Sequence, residues 1–239
     1  MDSIDFDFGS NNDTNALIGN LNSPEESQVE LTPLEVIQIL EKAWMNELHS
    51  PELLEPKMDE VNCLLDQINL IEENLERLEK SDFSISIRKM ELSRIRFMIA
   101  SYLRLRLQKI QKHAHYLSKR SNDELDSKLT TEEATFLEKY RENIDKLFAN
   151  LALDHIPDKA GKKSFSNFGE TSNNQPDPPM PNLNSAVFVK AEENIQGVFV
   201  EDEAGQNRDE EFDMEKDHQY ILRYKSVSHL IRNGSVKMI

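Results

Sequence analysis

The chain has 239 residues, enough for one or two domains, with a net charge of −16 and a pI near 4.8. That balance excludes a chain that binds nucleic acid over its whole surface. A single cysteine, Cys63, excludes an internal disulfide and fits a reducing compartment, and no apolar run approaches the roughly 20 residues of a membrane span.

Residues 1–30 are rich in Asn, Asp and Ser, a composition that does not offset ordering entropy, so a disordered acidic tail is expected. It lacks the basic and apolar regions of a signal peptide, so the expectation is a soluble intracellular protein with chance N-x-S/T matches at Asn12 and Asn233. Two apolar clusters, Ile4-Phe6-Phe8 and Leu17-Ile18-Leu21, are either plain tail or a short peptide that becomes helical on a partner.

A helical domain is expected over 31–156. Thr32, Pro33 and Glu35 form a capping box with proline at the first helical position. Leu34, Ile37, Leu40, Trp44 and Leu48 then follow helical spacing up to Ser50, before Pro51. Leu53 and Leu54, in the connection that follows, should pack on a helix. The second helix is expected from Met58 to Glu79, with a stripe of Val61, Leu65, Ile68, Ile71, Leu75 and Leu78. Its acidic residues Asp66, Glu72, Glu73 and Glu76 are either solvated or paired with the next helix.

Phe83 to Lys119 reads as one long helix whose apolar residues span an arc of roughly 200°, about twice what a surface helix needs. Phe97 and Met90 project from the opposite strip. Arg88, Lys89, Arg94, Arg96, Arg104, Arg106, Lys109, Lys112, Lys119 and Arg120 lie here with only Glu91 opposing them. Arg106 falls inside the apolar arc, where an unpaired charge is very costly, so it demands a carboxylate. Glu47, beside Trp44, could meet a central arginine. This helix should carry more apolar and cationic surface than its own chain covers. A short helix near Asp123 to Leu129 and a capping box at Thr130 and Glu133 follow. The next helix is lined by Phe136 or Leu137, Tyr140, Ile144, Leu147, Phe148 and Leu151, ending before Pro157. Mostly short connections make this a largely antiparallel bundle.

Pro, Gly, Ser, Asn and Lys dominate 157–185, which reads as a flexible linker. A small β-rich domain is expected over 186–239, giving a mainly α protein with a β-rich C-terminal domain. Four strands are expected at Ala186–Lys190, Gly197–Val200, Tyr220–Tyr224 and Val236–Ile239, with a short helix near Val227–Ile231 and a turn at Asn233-Gly234. Glu201 to Asp217 reads as an acidic insertion, a solvated loop.

No catalytic constellation emerges: no Gly-rich phosphate loop, nucleophile elbow or paired-cysteine metal site. His113 and His115 point away from each other on a helix and cannot share a metal there. Asp154-His155 suits a helix end. The Asp202 and Asp209 to Asp213 clusters lack the spacing of a calcium loop. No enzyme activity and no cofactor are expected. Another reading is a stand-alone helical nucleic-acid-binding protein using the basic helix 88–120, although its arginines surround the wheel instead of lining one face.

Three stretches carry a resemblance. Trp44-Met-Asn-Glu-Leu-His-Ser-Pro-Glu-Leu-Leu54 resembles the first-helix signature of the Sld-five-type subunit of the GINS complex. Arg94-Ile-Arg-Phe-Met-Ile-Ala-Ser-Tyr-Leu-Arg-Leu-Arg-Leu-Gln-Lys-Ile110 is similar to its long-helix signature. Tyr220-Ile-Leu-Arg-Tyr-Lys, with Leu230-Ile and Gly234-Ser-Val, resembles its small C-terminal domain. The resemblance implies a non-catalytic, nuclear subunit of a heterotetramer with three sister GINS subunits. That tetramer joins the minichromosome-maintenance ring and the Cdc-forty-five protein in the replicative helicase that initiates and elongates chromosomal DNA replication. It also implies that Trp44, Glu47, Leu53, Leu54, Arg94, Arg96, Phe97, Tyr102, Arg104 and Arg106 serve the helical core and inter-subunit contacts. Tyr220, Arg223, Tyr224 and Leu230 would serve the C-terminal core and its docking. The acidic tail, through Asp13, Leu17, Ile18 and Leu21 or through Asp2 to Phe8, would offer a peptide to a trimeric replisome hub of the Ctf-four type. No membrane partner is implied, and the resemblance does not decide direct contact with DNA.

Overall fold

Thr32 opens the first helix with the reciprocal bonds its sequence demands: its backbone N–H donates to Glu35 Oε2 at 2.7 Å, and the Glu35 N–H donates to Thr32 Oγ1 at 3.4 Å. The structure, a computed structural model, describes residues 32–77, 83–151, 180–200 and 210–239. Outside these lie the tail with Asp13, Leu17, Ile18 and Leu21, as well as Leu78, Asp154-His155, the 157–185 segment up to residue 179, and residues 201–209. Thr32–Ile239 is one compact unit.

The helices are α1 (Pro33–His49), α2 (Met58–Glu76), α3 (Phe83–Lys112), α4 (Ala114–Leu117), α5 (Asn122–Lys128) and α6 (Thr131–Leu151). Val36 and Leu40 of α1 join Val61, Leu64, Ile68 and Leu75 of α2 and Ile85, Leu92, Met98, Ile99 and Tyr102 of α3 in one core. A second cluster joins Leu53, Ile110, Ala114, Leu117, Leu129 and Leu137.

Three expectations about the helices are corrected. Leu34 and Leu48 are exposed, because α1 turns Val36, Leu40 and Glu47 inward to meet α2 and α3. In α2 the buried position is Leu64 and Leu65 is exposed, since the stripe follows 61, 64, 68 and 75. The long helix stops at Lys112: His113, at φ −107° and ψ 17°, leaves the helical region, and the short α4 turns Ala114 and Leu117 into the second cluster.

The C-terminal region comprises β1 (Ala186–Ala191), β2 (Ile195–Val200), β3 (Glu210–Met214), β4 (Gln219–Arg223), α7 (Tyr224–Asn233) and β5 (Val236–Met238). A three-stranded sheet runs in the order β4-β1-β5, all antiparallel, and β2 pairs with β3. Val187, Val189, Ala191, Val236 and Met238 face α7, where Tyr224, Val227, Leu230 and Ile231 recur at helical spacing. Gly234, at φ 82°, ends α7 in the left-handed conformation, so Asn233-Gly234 turns as expected.

Here too the structure departs from expectation. The acidic stretch is not a loop throughout: β3 forms because Phe212 and Met214 alternate with acids, and Met214 is buried beneath the hairpin. The strand at Tyr220 stops at Arg223, because Tyr224 begins α7, which is longer at both ends than expected.

Candidate functional site

Arg106 sits on α3 in mid-arc and is fully buried. A guanidinium has five N–H donors in a fixed fork, and each has an acceptor. Nε and one Nη donate to the two carboxylate oxygens of Glu133 at 2.7 and 2.8 Å. The same Nη reaches the Lys128 carbonyl at 2.8 Å. The other Nη reaches the Leu54 carbonyl at 2.8 Å and Glu47 Oε2 at 3.4 Å. Lys109, one turn on, donates to Glu47 Oε1 at 2.8 Å and to the Glu52 carbonyl at 3.0 Å. The Tyr102 ring lies 5.9 Å from the guanidinium carbon, and its hydroxyl accepts the Lys57 N–H at 3.1 Å.

Burial pulls the Arg106 guanidinium down, but the hydrogen bonds to Glu133 and the negative charges of Glu47 and Glu133 hold it above its ordinary value. Burial likewise lowers the Lys109 ammonium, against the opposing pull of Glu47. Glu133 is also the capping residue of α6: its Oε2 accepts the Thr130 N–H at 3.1 Å. One carboxylate thus starts α6 and satisfies α3. The sequence demanded a carboxylate for Arg106, and the chain supplies two; the expectation that its cationic surface exceeds what the chain can match is corrected at this residue.

A second group joins the helices to the C-terminal region. Glu52, on the loop after α1, accepts Lys128 Nζ at 2.7 Å, the Tyr224 hydroxyl at 2.8 Å and an Arg232 Nη at 3.2 Å. Burial is the largest influence on its carboxyl and acts upward, yet Lys128, Tyr224 and Arg232 together hold it below the usual range. Burial also raises the Tyr224 hydroxyl well above its ordinary value. Lys42 donates to Glu192 at 2.5 Å and to the Gly234 carbonyl at 2.6 Å. The buried Asn46 Oδ1 accepts the Met238 N–H at 2.8 Å, so α1 caps a backbone donor of strand β5.

Of the residues singled out from sequence, Trp44 is half-buried, its Nε1 donating to Ser101 Oγ at 3.1 Å and its ring edge-on to Phe97 at 6.4 Å. Glu47, Tyr102 and Arg106 come together in the buried ionic group. Leu53 packs in the second helical cluster, whereas Leu54 packs on the C-terminal core instead of the bundle. Arg94, Arg104 and Phe97 are exposed, and Arg96 pairs with Glu72 of α2. Tyr220 packs on Phe212 at 5.8 Å, Arg223 immediately precedes α7, and Tyr224 and Leu230 are core residues there. Sequence reasoning missed Glu52, Asn46, Lys42, Lys109 and Glu133 as site residues. Glu133 carried a signal in its capping box; the side-chain partners of the others lie 57 or more residues away in the chain, as for Lys109 with Glu52 at 57 and Asn46 with Met238 at 192.

A cleft of about 370 Å³ opens beside this seam, lined by Glu52, Tyr116, Arg120, Lys128 and Arg232 among others. Arg120 is paired with Glu124 at 2.9 Å, and Lys128 and Arg232 are paired with Glu52. Lys128 and Arg232 thereby tie α5 and α7 to the loop after α1.

The fold and its ionic groups define a helical-bundle protein with a small β-rich region seated on it through polar contacts. Residues 44–152 match the family described as "GINS complex protein helical bundle domain", and residues 181–239 the family described as "DNA replication complex GINS protein SLD5 C-terminus". The protein named "DNA replication complex GINS protein SLD5" from Rattus norvegicus is 39% identical over 215 residues, covering 89% of this chain and 92% of its own length. Its Homo sapiens counterpart is 38% identical with the same coverage. That of Schizosaccharomyces pombe is 28% identical over 82% of this chain and 88% of its own. The chain belongs to the SLD5 family of GINS proteins.

Proposed function

We propose that this chain is a non-catalytic structural subunit of the GINS heterotetramer, working in chromosomal DNA replication in the nucleus. Its partners on this reading are three sister subunits and, through the tetramer, the minichromosome-maintenance ring and the Cdc-forty-five protein. Family membership supports the replication role. One observation supports the need for partners: the helices leave large apolar side chains uncovered along defined faces. Phe83 is 76% exposed and Met90 73%, with Ile87 and Phe97 beside them on α3, and Leu147, Phe148 and Leu151 stay open at the end of α6. Open apolar surface of this kind marks a protein–protein interface.

Trp44, Arg94, Phe97 and Arg104 belong to that outer surface on this reading, while Glu47, Leu53, Tyr102 and Arg106 serve the core. Leu54 and Tyr224, with Leu230 and Tyr220, hold the C-terminal region in place, while Arg223 lies at the outward-facing end of β4. The tail peptide at Asp13, Leu17, Ile18 and Leu21 stays part of the proposal as a hub ligand; deleting residues 1–25 should abolish hub binding, and unchanged binding removes it.

Co-expression with the sister subunits tests the main reading. The expected result is a stable stoichiometric complex whose formation falls on Met90→Glu or Phe97→Glu. A chain that is monomeric and soluble alone and gains nothing from the sisters overturns it. The stand-alone nucleic-acid reading predicts that the isolated chain binds DNA with a steep salt dependence.

A further inference from the structure

The three-stranded sheet hides one face on α7 and turns the other outward. Side chains alternate along each strand, so the register places Ala186, Phe188 and Lys190 of β1 outward beside Arg223, Ile221 and Gln219 of β4 and Lys237 of β5. Phe188 and Ile221 are directly opposed and 61% and 62% exposed. Ile239, whose N–H donates to the Phe188 carbonyl at 3.1 Å, extends this apolar strip across the sheet.

The charge on this face runs against that of the chain. The protein has 44 acidic residues and 28 basic ones, yet these outward strand positions carry Lys190, Lys237 and Arg223 and no acid. Lys190 and Lys237 stand directly opposite each other, an unfavourable like-charge pair in a sheet. Asp217 relieves part of it, 2.6 Å from Lys190, and also feels Lys216 and Lys237. Asp217 thus answers Lys190 directly and Lys216 and Lys237 at longer range.

We infer that the outer face of the β4-β1-β5 sheet docks an amphipathic helix of a partner protein, with apolar residues seated on Phe188, Ile221 and Ile239 and an acidic residue one turn away meeting Lys237 and Lys190. Geometry fits this occupant. Three strands at about 4.8 Å spacing span roughly 10 Å, the width of one helix. Phe188 and Lys190 are two residues apart on one face, roughly 7 Å at the strand rise, slightly more than one helical turn of about 5.4 Å. The surface is separate from the helical faces invoked above and does not depend on them.

The test uses the full chain and a synthetic helix about five turns long, leucines on one face and glutamates flanking them, followed by fluorescence anisotropy. The expected result is saturable binding that weakens with salt, falls roughly tenfold or more in the Phe188→Ala/Ile221→Ala double variant, and falls in Lys237→Glu. The same helix with lysine flanks should not bind. These positions are solvent-facing, and circular dichroism checks that each variant is folded. Absence of saturable binding, equal affinity of wild type and variants, or binding of the lysine-flanked helix overturns the inference. So does single-stranded oligothymidine whose binding is lost in these variants while the acidic helix is unaffected.

Discussion

In the helical region a fully buried guanidinium is held by two carboxylates and two backbone carbonyls, and Glu47, Glu133 and Asn46 are buried beside apolar side chains. Among the described residues, none of the buried polar or charged side chains lies between Val187 and Met238. The difference lies in how each region fixes its geometry. Strands and α7 are registered by the sheet ladder and by Gly234, so an apolar core suffices. Helices can slide and rotate past one another, and five directed bonds on Arg106 single out one arrangement of α3, α6 and the loop after α1. The seam between the regions is mostly polar, through Glu52, Lys42 and Asn46, with Leu54 as its apolar contact.

The hardest blow to this contrast should come from Glu133→Ala. It strips two bonds from Arg106 and the reciprocal cap from α6, leaving a buried charge underpaired. A loss of about 3–5 kcal/mol is expected in denaturant unfolding. A loss under about 1 kcal/mol would show that the ionic group does not set the helical arrangement. Asn46→Ala leaves the Met238 N–H buried without its acceptor, for a loss of about 1–3 kcal/mol. Hydrogen exchange at Met238 should rise more than at Ile99, which reports the bundle; equal increases would mean that the two regions open together.

Acid sharpens the comparison through Glu52. Its folded-state carboxyl is held below the usual range, so the folded protein retains the charge to lower pH than the unfolded chain does. The stabilisation is fully present above the unfolded carboxyl pKa of about 4.3 and is lost as pH falls through the lower folded value. Wild type should therefore lose stability over that window relative to Glu52→Gln, and parallel pH profiles would remove Glu52 as the anchor of the seam. Arg96→Ala should matter least. The pair with Glu72 is half-exposed, so about 0–1 kcal/mol is expected, shrinking in high salt.

What the residues fixed in advance was local. Thr32 with Glu35, and Thr130 with Glu133, start helices because each pair satisfies backbone donors within one turn. The burial of Arg106 beside carboxylates followed from its place in an apolar arc, since desolvating an unpaired charge is prohibitive. The β-branched and aromatic run Ala186–Lys190 marked a strand through local preference alone. Tertiary packing alone decided which residues answer each other across the chain. It rotated α1 to bury Val36 in place of Leu34, drew β3 from an acidic stretch through Met214, and made Glu133 the main partner of Arg106. It also brought Tyr224 and Arg232 to Glu52, 172 and 180 residues away. Capping and alternation act within a few residues and are written in the sequence. Which carboxylate meets which cation depends on how whole helices and strands turn to share one core, and no single segment carries that choice.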